Sequence, residues 1–285
     1  QGQTCHAFCT YCFRWPQFVD EPELKMKSNK VDTLQEYVSN HSEVSDVLIT
    51  GGDPMIMSAD RMEGIVAPLL DIDHLEASRF GSKSLAFWPN RFVTDRDASQ
   101  MLRLIERVRK AGKNFAFMAH FSHPKELAPD ITKTAIRHLL GAGAIIRTQA
   151  PLINHVNNDP HVWSEMWKEQ VRLGLIPYYM FVERDTGPRD YFEVPLAEAY
   201  GVFNEAYTSV SGLARTVRGP VMSAHPGKVQ VDGIVDIAGE KTFAMHLVQA
   251  RDPRLAGKPF FAKFDPNATW LTDLKPIDGT RFPFD

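Results

Sequence analysis

The chain has 285 residues, 44% hydrophobic and 24% charged, with 32 basic against 35 acidic side chains and a formal net charge of -3. That composition suits a globular protein with a sizeable core, and the near-neutral charge leaves no footprint for a nucleic-acid or anionic-membrane partner. There is no apolar run of 18 or more residues for a bilayer-crossing helix and no visible signal peptide. With only three cysteines, all within residues 5–12, the expected setting is a reducing cytoplasm rather than a disulfide framework.

The cysteine segment, QGQTCHAFCTYCFRWPQF, opens the chain. Helix-like periodicity then appears at 33–41, 60–72, 96–112, 130–143, 163–174 and 196–212, alternating with strand-like apolar runs at 44–50, 77–87, 114–121, 144–153, 176–183 and 219–224. Several of the helical segments stop at glycine, the usual left-handed terminator. Strands alternating with helices of this length predict repeated βα units on a parallel sheet. With one more strand expected ahead of the cysteines, the class is α/β, a partial (β/α)6-type barrel over 1–228. Residues 229–285 form a C-terminal extension in which KVQVDGIVDIAG reads as a hairpin. In barrels of this kind the chemistry gathers at the C-terminal ends of the strands.

Cys5, Cys9 and Cys12 are the chain's whole supply of cysteine. Their i, i+4, i+7 spacing also describes one face of a helix, and buried cysteine is common in cores. TYCFRWP, however, is a poor helix former, being rich in β-branched and aromatic residues with an early proline. A zinc site with His6 as fourth ligand is a second reading, although adjacent Cys and His seldom serve one tetrahedral ion. The third is an iron–sulfur cluster, whose usual ligands are thiolates; three thiolates on four irons leave one iron open to a reactant.

The C-x3-C-x2-C motif ahead of βα units resembles the cluster motif of the radical S-adenosylmethionine (SAM) superfamily. The blocks HSEVSDVLITGGDPMIMSAD, RFGSKSLAFWPNRF, AHFSHPKEL and TQAPLINHVNND resemble, in order and spacing, blocks of the lysine 2,3-aminomutases, and the resemblance runs over roughly residues 4–235. It implies a 4Fe-4S cluster on the three cysteines, SAM at the open iron, and hydrogen abstraction that side chains could not perform unaided. It also implies pyridoxal phosphate (PLP), an amino-acid substrate, a flavodoxin- or ferredoxin-like electron donor, and a homo-oligomer.

The resemblance assigns roles by position. Gly51, Gly52 and Asp53 form a Gly-Gly-acid turn whose bare backbone can approach SAM, although GGDP would also serve as a simple turn. Gln149 and His120 fall where polar residues line the cofactor pocket, with His123 close by. Arg14 falls where the family keeps an arginine for the substrate carboxylate, a task that suits a guanidinium fork. Lys228, in MSAHPGKVQV, matches the lysine that carries PLP as a Schiff base, on a loop shorter and poorer in glycine than is usual; a solvated lysine opening a hairpin is the plain alternative. The family's phosphate contacts would lie ahead of Cys5, where this chain offers four residues.

Arg184 and Ser223 take the places where lysine aminomutases keep two aspartates for the distal ammonium, although a one-residue shift would put Asp185 at the first. The expected substrate is therefore an acidic or polar amino acid rather than lysine. The function so read is a PLP-dependent 2,3-aminomutase. The alternatives are a PLP-independent radical SAM dehydrogenase, epimerase or lyase, and a zinc-binding interaction module.

Overall fold

The computed structural model describes residues 4–18 and 31–285. In chain order these give α1 (Val31–Asn40), β1 (Asp46–Ile49), α2 (Ala59–Val66), β2 (Ala77–Ser82), α3 (Ser84–Phe87), α4 (Ala98–Lys110), β3 (Asn114–His120), α5 (Asp130–Gly141) and β4 (Ile145–Leu152). They continue with α6 (Pro160–Arg172), β5 (Ile176–Val182), α7 (Arg189–Phe192), α8 (Leu196–Thr208), β6 (Arg218–Ala224), β7 (Gly227–Ile237), β8 (Glu240–Ala250) and β9 (Pro259–Lys263). Strand order follows chain order, β1 to β9. The pairs β1–β2, β2–β3 and β5–β6 are parallel, as alternating βα units require, and β6 to β9 continue antiparallel. The α/β class and the parallel sheet are thus as expected. The strand expected ahead of the cysteines falls outside the described residues. Among those described, no helix is long and apolar enough to cross a membrane.

The chain divides into two compact units. The first comprises Gln1–Phe121, Lys125–Thr148 and Gln170–Leu175. Its helices turn one apolar stripe inward: α4 buries Ala98, Met101, Leu104, Ile105 and Val108, a spacing close to the helical repeat, and keeps its charges outside. Strand β2 alternates strictly between half-buried and buried positions. Its Phe80 stacks on Phe115 of β3 with centroids 4.3 Å apart, while Phe92 meets Phe117 edge-on at 5.7 Å. Burying each such ring stabilises the fold by about 1.5–3 kcal/mol before entropy is counted.

The second unit comprises Ser122–Pro124, Gln149–Glu169 and Ile176–Asp285. Val182 of β5, Leu196 of α8, Met222 of β6, Val229 and Val231 of β7, and Phe243 of β8 form one buried cluster there. Trp270 and Leu274 of the last segment belong to it as well, so the residues beyond 229 share one core with β5, β6 and α8.

Three element boundaries differ from expectation, each for a local reason. The strand expected over 77–87 stops at Ser82, because the next two amides are taken by side chains: Lys83 N–H donates to Asp53 Oδ2 at 2.8 Å and Ser84 N–H to Ser82 Oγ at 3.0 Å. The helix expected over 60–72 ends at Val66 and tightens into a 3-10 turn over Ala67–Leu69, where Pro68 supplies no N–H. The hairpin expected within 228–239 is a single strand. Asp232-Gly233 makes a bulge, marked by a register shift between Val231 and Gly233, and the chain reverses only at Ala238 and Gly239, both with positive φ.

Candidate active site

The first unit brings the cysteine loop onto the C-terminal ends of its strands. Residues 4–18 fold as tight turns: Cys12 N–H donates to Cys9 O and Trp15 N–H to Cys12 O, each at 3.0 Å, and Ala7 N–H reaches Cys5 Sγ at 3.4 Å. All three cysteines are half-buried and none forms a disulfide. The loop is not a helix, so the helix-face reading of the cysteines does not hold.

The Gly-Gly-acid turn after β1 is where this loop is fastened. Asp53 N–H donates to Thr4 O at 3.0 Å. A Cβ on Gly52 would lie 1.9 Å from that same oxygen, so only glycine lets the two backbones meet. Beyond the cysteines, Arg14 Nη1 donates to Gly51 O at 2.7 Å. Both ends of the cysteine loop are therefore tied to one turn, and the close approach that glycine permits is made by the chain's own Thr4.

Asp53 is the hub. Its buried carboxylate accepts from Ser82 Oγ at 2.8 and 3.0 Å, from Lys83 N–H at 2.8 Å, from Met55 N–H at 3.0 Å and from Ser84 Oγ at 3.4 Å. His6 Nε2 lies 3.0 Å from Asp53 Oδ2 and 3.0 Å from Ser84 Oγ, and the His6 ring meets Trp88 edge-on at 5.8 Å. Burial pushes the Asp53 carboxyl up, but the hydrogen bond and charge of His6 and the two backbone donors outweigh it, so the group stays ionised below the ordinary range. His6 Nδ1 is buried with no hydrogen-bond partner among the described residues.

Lys83 is 5% exposed, paired with Glu126 at 3.0 Å and 5.2 Å from the centroid of Phe87. Burial pushes the Cys9 thiol up while the Lys83 charge draws it down. At the end of β3, burial first and Lys83 second hold His120 well below the ordinary histidine range, hence neutral, beside the Tyr11 ring at 6.0 Å. His123 lies three residues on, half-buried.

Three thiolates could serve one metal ion or three irons of a cluster. Among the described residues no three His, Cys, Asp or Glu side chains converge as a single ion requires. Zinc would need sulfurs at about 2.3 Å from one centre. A cluster takes each thiolate on a separate iron, so it does not ask the three sulfurs to meet at one centre.

The second unit holds the other assigned residues. Gln149 is half-buried between Thr148 and Ala150 on β4. Lys228 is the second residue of β7, in register with Ser223 of β6. Gly227 before it has φ +146°, and a Cβ there would lie 2.0 Å from Gln249 O, so glycine fixes where Lys228 starts. Lys228 Nζ is 4.9 Å from the centroid of Tyr179 and 5.9 Å from that of Phe181, two rings of β5 stacked at 4.9 Å. Arg218 Nη1 lies 3.2 Å from the Tyr179 hydroxyl. A lysine amine poised over aromatic faces at a strand head is chemically fit to hold an aldehyde cofactor. Arg184 is half-buried just past β5, next to a buried Glu183.

Sequence reasoning missed Asp53's partners His6, Ser82, Lys83 and Ser84, along with Tyr179 and Glu183. The quoted block RFGSKSLAFWPNRF contained three of them, and a polar Ser-Lys-Ser run at a strand end was the available signal.

No model of a known protein family matches the chain. A protein of Aquifex aeolicus (strain VF5), provisionally named L-lysine 2,3-aminomutase, is 33% identical over 274 residues, covering 96% of this chain and 70% of the relative. The L-lysine 2,3-aminomutase of Clostridium subterminale is 26% identical over 73% of this chain, and the glutamate 2,3-aminomutase of Clostridioides difficile (strain 630) is 27% identical over 74%. The chain spans 47% of each of those two relatives, about half their length. Among solved structures, Streptococcus suis SuiB bound to precursor peptide SuiA shares the fold with a TM-score of 0.51 at 12% identity, over 73% of this chain and 44% of that one. With the cysteine loop seated on its Gly-Gly-acid turn and a relative this similar along nearly the whole chain, the protein belongs to the lysine 2,3-aminomutase family of the radical SAM superfamily.

Proposed function

We propose that the protein is a PLP-dependent 2,3-aminomutase acting on an acidic or polar amino acid. The observation that carries the radical half of this reading is the double fastening of the cysteine loop to Gly51 and Asp53. Lys228, which Gly227 places at the start of β7 beside Ser223, supports the PLP half.

When bound, the cluster with SAM supplies a carbon-centred oxidant for an unactivated C–H bond, and PLP supplies the π system across which nitrogen moves between neighbouring carbons. Cys5, Cys9 and Cys12 would hold the cluster and Lys228 the PLP. His6, Asp53 and Ser84 keep the loop in one conformation, so that ligand geometry is set before any cofactor arrives. Neutral His120 offers a hydrogen-bonding group for SAM without adding charge. The Arg14 guanidinium, set in place by Gly51 O, suits a substrate carboxylate. Arg184 and Ser223 favour a substrate side chain that is anionic or polar.

The test is anaerobic reconstitution with iron and sulfide, followed by a panel of L-amino acids with SAM and a reductant, scored for β-amino products. Turnover of an acidic amino acid that Arg184→Ala abolishes supports the reading. Efficient conversion of lysine, indifferent to Arg184→Ala, overturns the substrate assignment. Loss of a visible PLP band in Lys228→Ala, with the iron–sulfur band intact, separates the aminomutase from a PLP-independent radical enzyme. A colourless, zinc-loaded protein overturns the radical assignment.

A further inference from the structure

We propose that the face of Tyr179 is the seat of the Lys228 ε-ammonium whenever that nitrogen is not bonded to an aldehyde, including while a substrate amine has taken its place. The inference rests on the reading of Lys228 as the PLP lysine and adds a second position for its side chain.

Lys228 leaves β7 at the level of Ser223, its register partner, near the C-terminal end of β6. Its nitrogen nevertheless lies over Tyr179, whose own partner on β6 is Arg218, the first residue of that strand. The side chain therefore leans back along the sheet, away from the strand ends where such barrels do their chemistry. What receives it is a pair of stacked rings, Tyr179 at 4.9 Å and Phe181 at 5.9 Å. Tyr179 is 2% exposed, and burial before any other cause keeps its phenol above the ordinary range, so it attracts the ammonium as a neutral ring. Arg218 donates to the hydroxyl at 3.2 Å, with its guanidinium carbon 5.8 Å from the ring centroid, and fixes the ring's orientation.

The strength of this hold matters. A cation over an aromatic face is stabilised by about 0.5–2 kcal/mol, which corresponds to roughly 2- to 30-fold in an equilibrium. That is enough to collect a displaced ammonium and too little to keep it from returning. In the step itself, Lys228-NH3+ and the aldehyde give a protonated imine and water. One proton stays on nitrogen, two leave with the oxygen, and nothing is oxidised or reduced. In the reverse direction a substrate ammonium takes over the imine bond and Lys228 regains the two protons. The seat on Tyr179 favours the lysine-released side of both equilibria.

Tyr179→Leu in the full-length protein removes the face. Because the released ammonium then loses the stabilisation of that ring, PLP capture at Lys228 should tighten by up to roughly 2- to 30-fold in a titration followed by absorbance. Tyr179→Phe, which keeps the ring, should stay within about twofold of wild type, and Phe181→Leu should shift in the same direction as Tyr179→Leu but less. A merely structural role would loosen the site and weaken capture, the opposite sign. Equal or weaker capture by a Tyr179→Leu protein with a wild-type circular-dichroism melt overturns the inference. If that variant melts early, the sign of the Phe181→Leu shift decides. Borohydride fixation with peptide mass spectrometry separates the two readings: no phosphopyridoxyl group on Lys228 in wild type defeats the PLP assignment itself, whereas the group on Lys228 with unchanged affinities defeats only the seat.

Discussion

The carboxylate of Asp53 lies 3.0 Å from Nε2 of His6, joining the acid of the Gly-Gly-acid turn to the residue that follows the first cysteine. The same carboxylate accepts from Ser82, Lys83 and Met55, so one buried side chain ties the cysteine loop to the ends of β1 and β2. The sequence assigned Asp53 to SAM; its position adds an earlier duty, that of holding the cluster loop in place. Asp53→Ala would leave several buried donors without an acceptor, at about 1–3 kcal/mol each. Lower iron content after reconstitution and a lower melting temperature are both expected. Wild-type iron content in the variant, with only SAM affinity reduced, would show that the strut is dispensable.

Gly52→Ala tests the other fastening. The new methyl would lie 1.9 Å from Thr4 O, a distance no contact survives, and the neighbour is backbone, so the loop must lift. Iron loading should fall several-fold. Gly64→Ala is the matched control, since an added Cβ there meets nothing within 4 Å and the residue lies inside α2. It should stabilise the chain by about 0.8–1 kcal/mol and load iron as wild type does. Equal loading by both variants would remove the argument.

The turn is also braced from behind. Arg91 is 2% exposed and donates Nε to Met55 O at 2.8 Å, Nη2 to Met57 O at 3.0 Å and Nη1 to Asp97 Oδ1 at 2.7 Å. Asp97 in turn accepts from Ala59 N–H at 2.7 Å, the first amide of α2. Arg91→Ala should lower stability in urea unfolding, because it leaves the Met55 and Met57 carbonyls without their donor, at about 1–3 kcal/mol each. Arg91→Lys should recover little of it, because a point ammonium cannot serve three acceptors in a plane. A lysine variant as stable as wild type would show that charge alone suffices.

The alternation of βα units and the three cysteines were legible because both are periodic, local signals. The apolar stripe of α4 and the even burial of β2 follow directly from sequence spacing. What stayed hidden depended on contacts between residues distant in the chain. Nothing in the segment 77–87 announces that Lys83 N–H will leave the strand for a carboxylate 30 residues earlier. Nor does Asp232-Gly233 announce a bulge rather than a turn; that is decided by β8, which pairs along the whole of β7. Lys228 could be picked out by its place in a motif, but the ring beneath it belongs to a strand 49 residues earlier.

Glu183 carries the pH dependence of the second unit. It is 6% exposed, has no hydrogen-bond or ion-pair partner among the described residues, and burial alone pushes its carboxyl up to about 8. In the unfolded chain the same group titrates near about 4.3. Between these values the folded state keeps a proton that the unfolded state gives up. Stability is therefore full below about pH 4, declines as pH rises, and levels off above about pH 8, with a total loss on the order of 5 kcal/mol. Glu183→Gln keeps the shape and cannot ionise. Melting curves of the two proteins should nearly coincide at about pH 4 and separate at about pH 9, the glutamine variant melting higher. If the difference between them is the same at both pH values, Glu183 is not held neutral. If the variant is the less stable at the higher pH, the ionised carboxylate has a partner in the folded protein and the sign of the argument is reversed.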